Sequence, residues 1–204
     1  LYLASAGIGT LSIADGDTVE LSNLQRQILH TDARIGALKT QSAQQALALT
    51  NPDCLVRPLP RLEGDGLNAA VAAADVVLDC SDNFATRYAL NRASVALKKP
   101  LVSGAAIKLT GQLFVIDPRQ GDGPCYACLY PEDSRDEALR CATTGILAPV
   151  TGVIGGMQAV EAIKLIAGFG QPATGLLQRY DALTGAWSSS RVLRDPACPV
   201  CCTR

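Results

Sequence analysis

The chain has 204 residues, of which 48% are hydrophobic and 18% are charged, and its formal net charge at pH 7 is −1. This length and composition predict one globular domain over residues 1–204 and exclude an intrinsically disordered chain. The sequence has no long basic run, and this excludes the usual electrostatic pattern of a nucleic-acid-binding protein.

Short apolar runs alternate with longer helical patterns along the first half of the chain. The predicted strands are residues 10–15, 54–59, 76–81 and 101–106, and the predicted helices between them are residues 33–50, 67–74 and 84–97. This alternation predicts a protein of the α/β class with a doubly wound, Rossmann-like and mostly parallel sheet.

Strand patterns in the second half follow one another closely. Residues 112–117 come after a short turn, and the strand patterns at 176–183 and 187–194 flank a Thr-Gly pair that is typical of a hairpin. These patterns predict antiparallel strands added after the parallel ones. A helix over residues 149–167 is expected to pack at the junction.

That helix lies in an apolar run, residues 149–168, which is long enough to raise the question of a membrane span. It contains Gln158, Glu161 and Lys164, which favour a buried core helix. Residues 1–9 are too short and too uncharged for a signal peptide. We therefore expect no membrane association and a cytoplasmic location.

Acidic and basic residues cluster where the first predicted strand ends. Asp15 and Asp17 close that strand, and ligands of open α/β sheets bind at the carboxyl ends of strands, where an acid accepts from ribose hydroxyls. Arg26 and Lys39 would supply the positive charge that phosphates need. Alone, a strand-end Asp also suits a turn or a helix cap, and a single cation suits a solvated surface.

A second acidic group follows the strand predicted at residues 76–81. Asp79 still belongs to the strand, whereas Asp82 and Asn83 come just after it. A carboxylate in that position can hold Mg²⁺ against a triphosphate. Taken with the first group, this order predicts a nucleoside triphosphate site.

Six blocks along the chain carry a resemblance to a known family. They are DTVELSNLQRQILH, DCSDN, PLVSGAAI, PCYACL, GVIGGMQAVEAIK and CPVC. In this order they resemble the MoeB/ThiF family of ubiquitin-activating-enzyme-like proteins, and within it the molybdopterin-synthase adenylyltransferases. The resemblance covers essentially the whole chain.

The resemblance implies a reaction and a set of roles. The C-terminal glycine carboxylate of a ubiquitin-like sulfur-carrier protein would attack the α-phosphate of ATP, giving an acyl-adenylate and pyrophosphate for molybdenum cofactor biosynthesis. Asp15 would bind ribose, Arg26 and Lys39 would be catalytic at the phosphates, and Asp82 would be catalytic as the Mg²⁺ ligand. The implied nucleotide-binding set is Asp15, Asp17, Ser22, Asn23, Arg26, Gln27, Lys39, Asp82 and Asn83.

One departure from the family concerns the start of the chain. The family opens with a strand and a glycine-rich turn that binds phosphates on a helix N-terminus, and residues 1–10 resemble the back half of the helix that follows. The chain is therefore expected to lack the first strand, the turn and an N-terminal arm. Its activity by itself stays open, and a non-catalytic zinc-containing scaffold that binds a ubiquitin-like protein is one alternative.

Two C-x-x-C pairs, Cys125/Cys128 and Cys198/Cys201, suit a tetrahedral and structural zinc site. The long interval between the pairs leaves free or redox-active thiols as an alternative, and the resemblance favours zinc. Cys202 competes with Cys201, which has the better spacing.

The other cysteines and the single histidine have less defined roles. Cys141 lies where some relatives form a covalent bond to the activated carrier, and it is either such a thiol or an inert loop residue. Cys54 and Cys80 sit in strand patterns and are expected in the core. His30 is expected to pack or hydrogen-bond beside the nucleotide loop.

An enzyme of another class, a different carrier and a homodimer are further possibilities that the sequence raises. An NAD-dependent dehydrogenase would share the fold and the strand-end acid but would not explain the grouped cations or the four cysteines. Within the family, the sulfur carrier of the thiamine pathway is the alternative substrate. Relatives are homodimers, and close backbone packing at Gly152, Gly155 and Gly156 would suit one.

Overall fold

The computed structural model describes residues 1–132 and 145–202, so Cys141 lies outside the described residues. The strands are β1 Thr10–Ala14, β2 Leu55–Leu59, β3 Val77–Asp79, β4 Leu101–Ile107, β5 Thr110–Ile116, β6 Leu176–Asp181 and β7 Ala186–Arg191. The α-helices of the described residues are α1 Tyr2–Ser5, α2 Lys39–Thr50, α3 Gly64–Ala73, α4 Phe84–Ala96, α5 Tyr126–Leu129 and α6 Ala148–Ala167. The chain divides into two compact units, Leu1–Gly66 and Leu67–Arg204.

The first unit is built on a parallel pair of strands. β1 runs beside β2 with Thr10 opposite Leu55 and Ala14 opposite Leu59. Helix α2 packs on β2. The buried apolar cluster of this unit contains Ala4 of α1, Leu47 of α2, Cys54 just before β2 and Val56 of β2. Cys54 is therefore a core residue, as its strand pattern predicts.

The helix predicted over residues 33–50 is wrong in its first turns. Asp32–Arg34 form an isolated 3-10 turn, and α2 begins only at Lys39. The reason is tertiary. Gly36 adopts a φ of +88° and donates its N–H to the carbonyl of Val19, while Thr18 and Leu38 form a β-bridge. These pairings fix an extended segment where local propensity alone permits a helix.

The second unit contains a five-stranded sheet in the order β3-β4-β5-β6-β7. β3 and β4 are parallel, whereas the ladders from β4 onward are antiparallel. The C-terminal hairpin is confirmed, with β6 and β7 on either side of Gly185. The α/β class with parallel strands first and antiparallel strands added later is confirmed.

Helix α6 packs across this sheet, with its contacts on β3, β4 and β5. By length and composition it is apolar enough to cross a membrane. Its inner face, however, buries Gln158 and Glu161 together with apolar residues, and both polar side chains are hydrogen-bonded within the unit. A core helix accounts for this pattern, because buried polar groups with partners specify packing on a sheet.

Candidate functional site

The carboxyl end of β1 holds one cation between two acids. Lys39 is the first residue of α2, and its Nζ lies 2.8 Å from Asp17 Oδ2 and 3.9 Å from Asp15 Oδ2. Asp15 Oδ1 accepts from the N–H of Asp17 at 2.8 Å. The hydrogen bond from Lys39 and its positive charge lower the pKa of Asp17 below its usual value. The sequence-predicted acids and lysine are therefore brought together.

The segment after these acids forms a tight turn that orders the other predicted residues of the first unit. Glu20 and Asn23 form a reciprocal capping box around Leu21–Asn23. Ser22 Oγ donates to Glu20 at 3.2 Å, and Arg26 Nη1 donates to the carbonyl of Ser22 at 3.1 Å. Gln27 Oε1 is buried and accepts no hydrogen bond within the described chain. Asn23 thus shapes the turn, while Arg26 lies on its surface.

His30 lies behind this turn. Its Nδ1 is 2.8 Å from Ser42 Oγ. Burial, followed by the charges of Lys39 and Arg34, lowers the pKa of His30 below its usual 6.5. The expected packing and hydrogen-bonding role is confirmed. Sequence reasoning missed Arg34, whose Nη1 donates to the carbonyls of Leu29 and Ser42.

In the second unit, Asp82 and Asn83 follow the end of β3. Asp82 is exposed, whereas Asn83 Oδ1 caps α4 by accepting from the N–H of Thr86 at 2.9 Å. Cys80 is exposed, so the expectation that it is a core residue is wrong: β3 ends at Asp79, one residue before it.

A buried polar network at the same strand ends was not predicted. Asp79 is 1% exposed, and its two oxygens accept from Ser81 and Ser103 Oγ, both at 2.6 Å. Arg87, also buried, places its Nε 3.9 Å from Asp79. In the sequence, this network is signalled only by Asp79, the first carboxylate of the DCSDN block. Ser103 and Arg87, which contact Asp79, come from separate elements of the chain.

The four cysteines of the two C-x-x-C pairs form one group. Their sulfur atoms all lie within 4.8 Å of one another, with Cys125 and Cys198 at 3.6 Å and Cys128 and Cys201 at 3.5 Å. A tetrahedral ion with Zn–S bonds of about 2.3 Å would set sulfurs about 3.8 Å apart. The donor set therefore fits a zinc ion.

The surroundings of the cysteine group also suit a cation. Asn91 Nδ2 donates to Cys125 Sγ at 3.5 Å, and the N–H of Asp195 donates to Cys128 Sγ at 3.4 Å. Burial raises the pKa of Cys125 to about 11, which a bound cation would reverse by stabilising the thiolate. Cys202 lies outside the group, where Arg194 Nε donates to its sulfur at 3.2 Å.

Acids at strand ends beside a lysine at a helix start, in a chain that also gathers four cysteines able to hold a metal ion, define a Rossmann-like protein. The chain belongs to the ThiF family, because the sequence model of that family matches residues 1–200. Membership in this family removes the dehydrogenase alternative.

Named relatives agree with this membership, and a solved structure shares the fold. The chain is 49% identical to the molybdopterin-synthase adenylyltransferase of Escherichia coli K12, covering 98% of this chain and 80% of that protein. It is 50% identical to the sulfur carrier protein ThiS adenylyltransferase of the same strain, covering 98% and 79%. It also shares its fold with E. coli MccB solved with ATP, with a TM-score of 0.81 and 22% identity. That match covers 97% of this chain and spans 60% of the MccB chain.

Proposed function

We propose that the chain acts as one adenylation domain of an adenylyltransferase. Its reaction is activation by ATP of the C-terminal glycine of a ubiquitin-like sulfur-carrier protein, the small subunit of molybdopterin synthase. The observation that carries this proposal is Lys39 held between Asp15 and Asp17 at the end of β1. That arrangement lies in a chain about half identical to enzymes named for this activity.

The first unit supplies nucleotide and phosphate contacts in this proposal. Asp15 accepts from the ribose hydroxyls, and Arg26 and Lys39 face the triphosphate, with Ser22, Asn23 and Gln27 ordering the loop. The ion pair of Lys39 with exposed Asp17 is of a kind worth ~0–1 kcal/mol. A triphosphate, with its higher charge, therefore competes well for Lys39.

The reaction needs positioning and charge neutralisation more than proton transfer. A carboxylate oxygen of the carrier forms a bond to the α-phosphorus, and the bond from that phosphorus to the bridging oxygen of pyrophosphate breaks. The leaving group departs with the electron pair, and Lys39 and Arg26 stabilise its charge. No proton has to move to or from the chain.

Asp82 is the proposed Mg²⁺ ligand, with Asn83 holding the start of α4 beside it. The carboxylate of Asp82 is exposed, and the described residues offer it no hydrogen bond or ion pair, which fits an ion usually bound by one or two carboxylates with substrate phosphates. When bound, Mg²⁺ neutralises charge on the phosphates. The zinc proposed at Cys125, Cys128, Cys198 and Cys201 is structural, because four thiolates leave no open position.

The thiamine-pathway carrier is a second candidate substrate. It is favoured by the 50% identity to the ThiS adenylyltransferase, which equals the match to the molybdopterin-synthase enzyme within a percentage point. Cys141 stays a candidate covalent thiol for either carrier.

We also propose a cytoplasmic homodimer formed through the outer face of α6. Gly152 and Gly155 have open space where a Cβ would stand, and Val153, Val160 and Ile166 on this helix are exposed. Light scattering should show twice the chain mass for the protein and a single chain mass for Gly155→Arg. A monomeric wild-type protein at micromolar concentration would refute the dimer.

ATP–pyrophosphate exchange tests the activity, with the full-length protein and each carrier in turn. We expect carrier-dependent exchange, abolished in Asp82→Asn. Asp75→Asn is the matched control, since it replaces an exposed acid that precedes β3. Exchange with the thiamine carrier alone would change the pathway and keep the chemistry. Absence of exchange with both carriers, in folded protein, would favour the scaffold.

A further inference from the structure

A buried arginine of helix α4 connects two parts of the second unit. Arg87 is 8% exposed, and its Nη2 donates to the carbonyl of Ser81 at 2.5 Å and to that of Gly104 at 3.4 Å. Its Nε lies 3.9 Å from Asp79 Oδ2. The guanidinium therefore fills the space behind the turn that follows β3.

Both main-chain polar groups of Ser81 are hydrogen-bonded in this arrangement. Its N–H donates to Asp79 Oδ1 at 3.0 Å, while its carbonyl accepts from Arg87. The next residue is Asp82, whose Cα is ~3.8 Å from that of Ser81 by covalent geometry. Fixing the main chain of Ser81 therefore restricts the position of the Asp82 Cα, from which the carboxylate side chain extends.

The opposite side of Arg87 meets the segment that carries the first C-x-x-C pair. Arg87 Nη1 donates to Tyr126 Oη at 3.4 Å. Asn91, one turn further along α4, accepts from the N–H of Tyr126 at 2.9 Å and donates to Cys125 Sγ at 3.5 Å.

We infer that Arg87 is a positioning residue that holds the Ser81–Asn83 loop in place for metal–nucleotide binding and connects it, through Tyr126, to the cysteine group. The inference rests on the proposed role of Asp82 as a metal ligand. Because Arg87 is buried, its proposed role is to position the loop and not to bind substrate or metal. It acts by removing conformational freedom from the peptide that precedes the ligand, as supporting groups around metal ligands do.

The test measures the affinity of the full-length protein for Mn²⁺ with a non-hydrolysable α,β-methylene ATP, by electron paramagnetic resonance. Arg87→Met should weaken Mn²⁺ binding by about ten- to a hundredfold, as is typical when support for a ligand is lost. Arg87→Lys should recover part of the loss, because it keeps the charge without the planar fork. Tyr126→Phe should weaken binding by only about threefold, because it removes one of the several hydrogen bonds that hold Arg87.

Two control variants separate positioning from folding. Arg92→Met removes an exposed arginine of the same helix that pairs with Glu132, and its Mn²⁺ affinity should equal that of the wild type. Asp82→Asn should abolish Mn²⁺ binding to the protein. If Arg87→Met and Tyr126→Phe lower only the melting temperature and bind Mn²⁺ like the wild type, the inference is overturned while the role of Asp82 stands. A wild-type protein without Mn²⁺ binding would overturn both.

Discussion

Gln158, on the inner face of α6, donates its side-chain N–H to the main-chain oxygen of Asp79 at 2.8 Å. The same nitrogen reaches the carbonyl of Val102 at 3.1 Å, so one amide joins the ends of β3 and β4 to the long helix. There is no room for a larger residue opposite it, because a Cβ at Gly104 would collide with the Gln158 side chain.

Gly104→Ala should therefore destabilise the protein. Overpacking at a buried contact costs about 1–3 kcal/mol in the free energy of unfolding, and urea titration would measure it. Gly66→Ala in helix α3 is the control, since an added Cβ there would meet only the Leu62 side chain, at 3.8 Å. Replacing a helical Gly by Ala stabilises a protein by ~0.5–1 kcal/mol. Equal stability of Gly104→Ala and wild type would show that Gln158 can move aside.

Lys39→Ala should reduce carrier-dependent pyrophosphate exchange by about a hundredfold, the loss typical of one group that stabilises transition-state charge. Folding should hardly change, because the ion pair with exposed Asp17 contributes about 0–1 kcal/mol. Arg57→Ala removes another cation of the first unit, exposed on β2, and should exchange normally. Full exchange by Lys39→Ala would exclude this lysine from the reaction.

Stability should fall between neutral and mildly acidic pH because of His30. Its pKa in the folded chain is lowered from 6.5, first by burial, so below pH 6.5 the unfolded chain binds the proton more readily. The free energy of unfolding therefore decreases as the pH drops below 6.5 and levels off below the folded pKa. The lowered pKa of Asp17 acts below its usual 3.8, outside this window.

His30→Gln isolates that effect, since His30 is the only histidine in the chain. Urea unfolding at pH 7.5 and 5.5 should show a smaller pH dependence for His30→Gln than for the wild type. An unchanged dependence would assign the loss to another group.

The cysteine group predicts how metal content responds to single thiol changes. Cys198→Ser should lose bound zinc and unfold at a lower temperature, because Cys198 is 2% exposed within the group. Cys202→Ser should keep one zinc per chain, since its sulfur contacts Arg194 outside the group. Atomic absorption and calorimetry provide both measurements. Zinc retained by Cys198→Ser and lost by Cys202→Ser would show that Cys202 is a zinc ligand and that Cys198 is not.

The strands could be predicted because each is a short apolar run bounded by turn residues. The β6–β7 hairpin, for example, is encoded within about 16 adjacent residues. The beginning of α2 could not be predicted, because its limit is set by the bridge between Thr18 and Leu38. Local propensity does not record pairings across such a distance.

The same limit explains which parts of the candidate site escaped prediction. Asp15 and Asp82 could be proposed as site residues from the sequence because they follow predicted strands, and Lys39 because it is a cation near the acids that follow the first strand. Arg87 and Gln158 look like ordinary helix residues in sequence, and their importance appears only when α4 and α6 pack on the strand ends. The two C-x-x-C pairs were found because the spacing within each pair is itself the signal.

The cysteine group also sets an order of events during protein synthesis. Cys125 and Cys198 are 73 positions apart, and β7, the final strand of the five-stranded sheet, ends at Arg191, so the second pair leaves the ribosome after the whole sheet has been translated. Closing a loop of that length costs entropy that the sheet itself offsets by holding both ends close. A nascent chain therefore completes its four-sulfur group only after this sheet, and polypeptides that stop short of residue 198 would present only two of the four thiols.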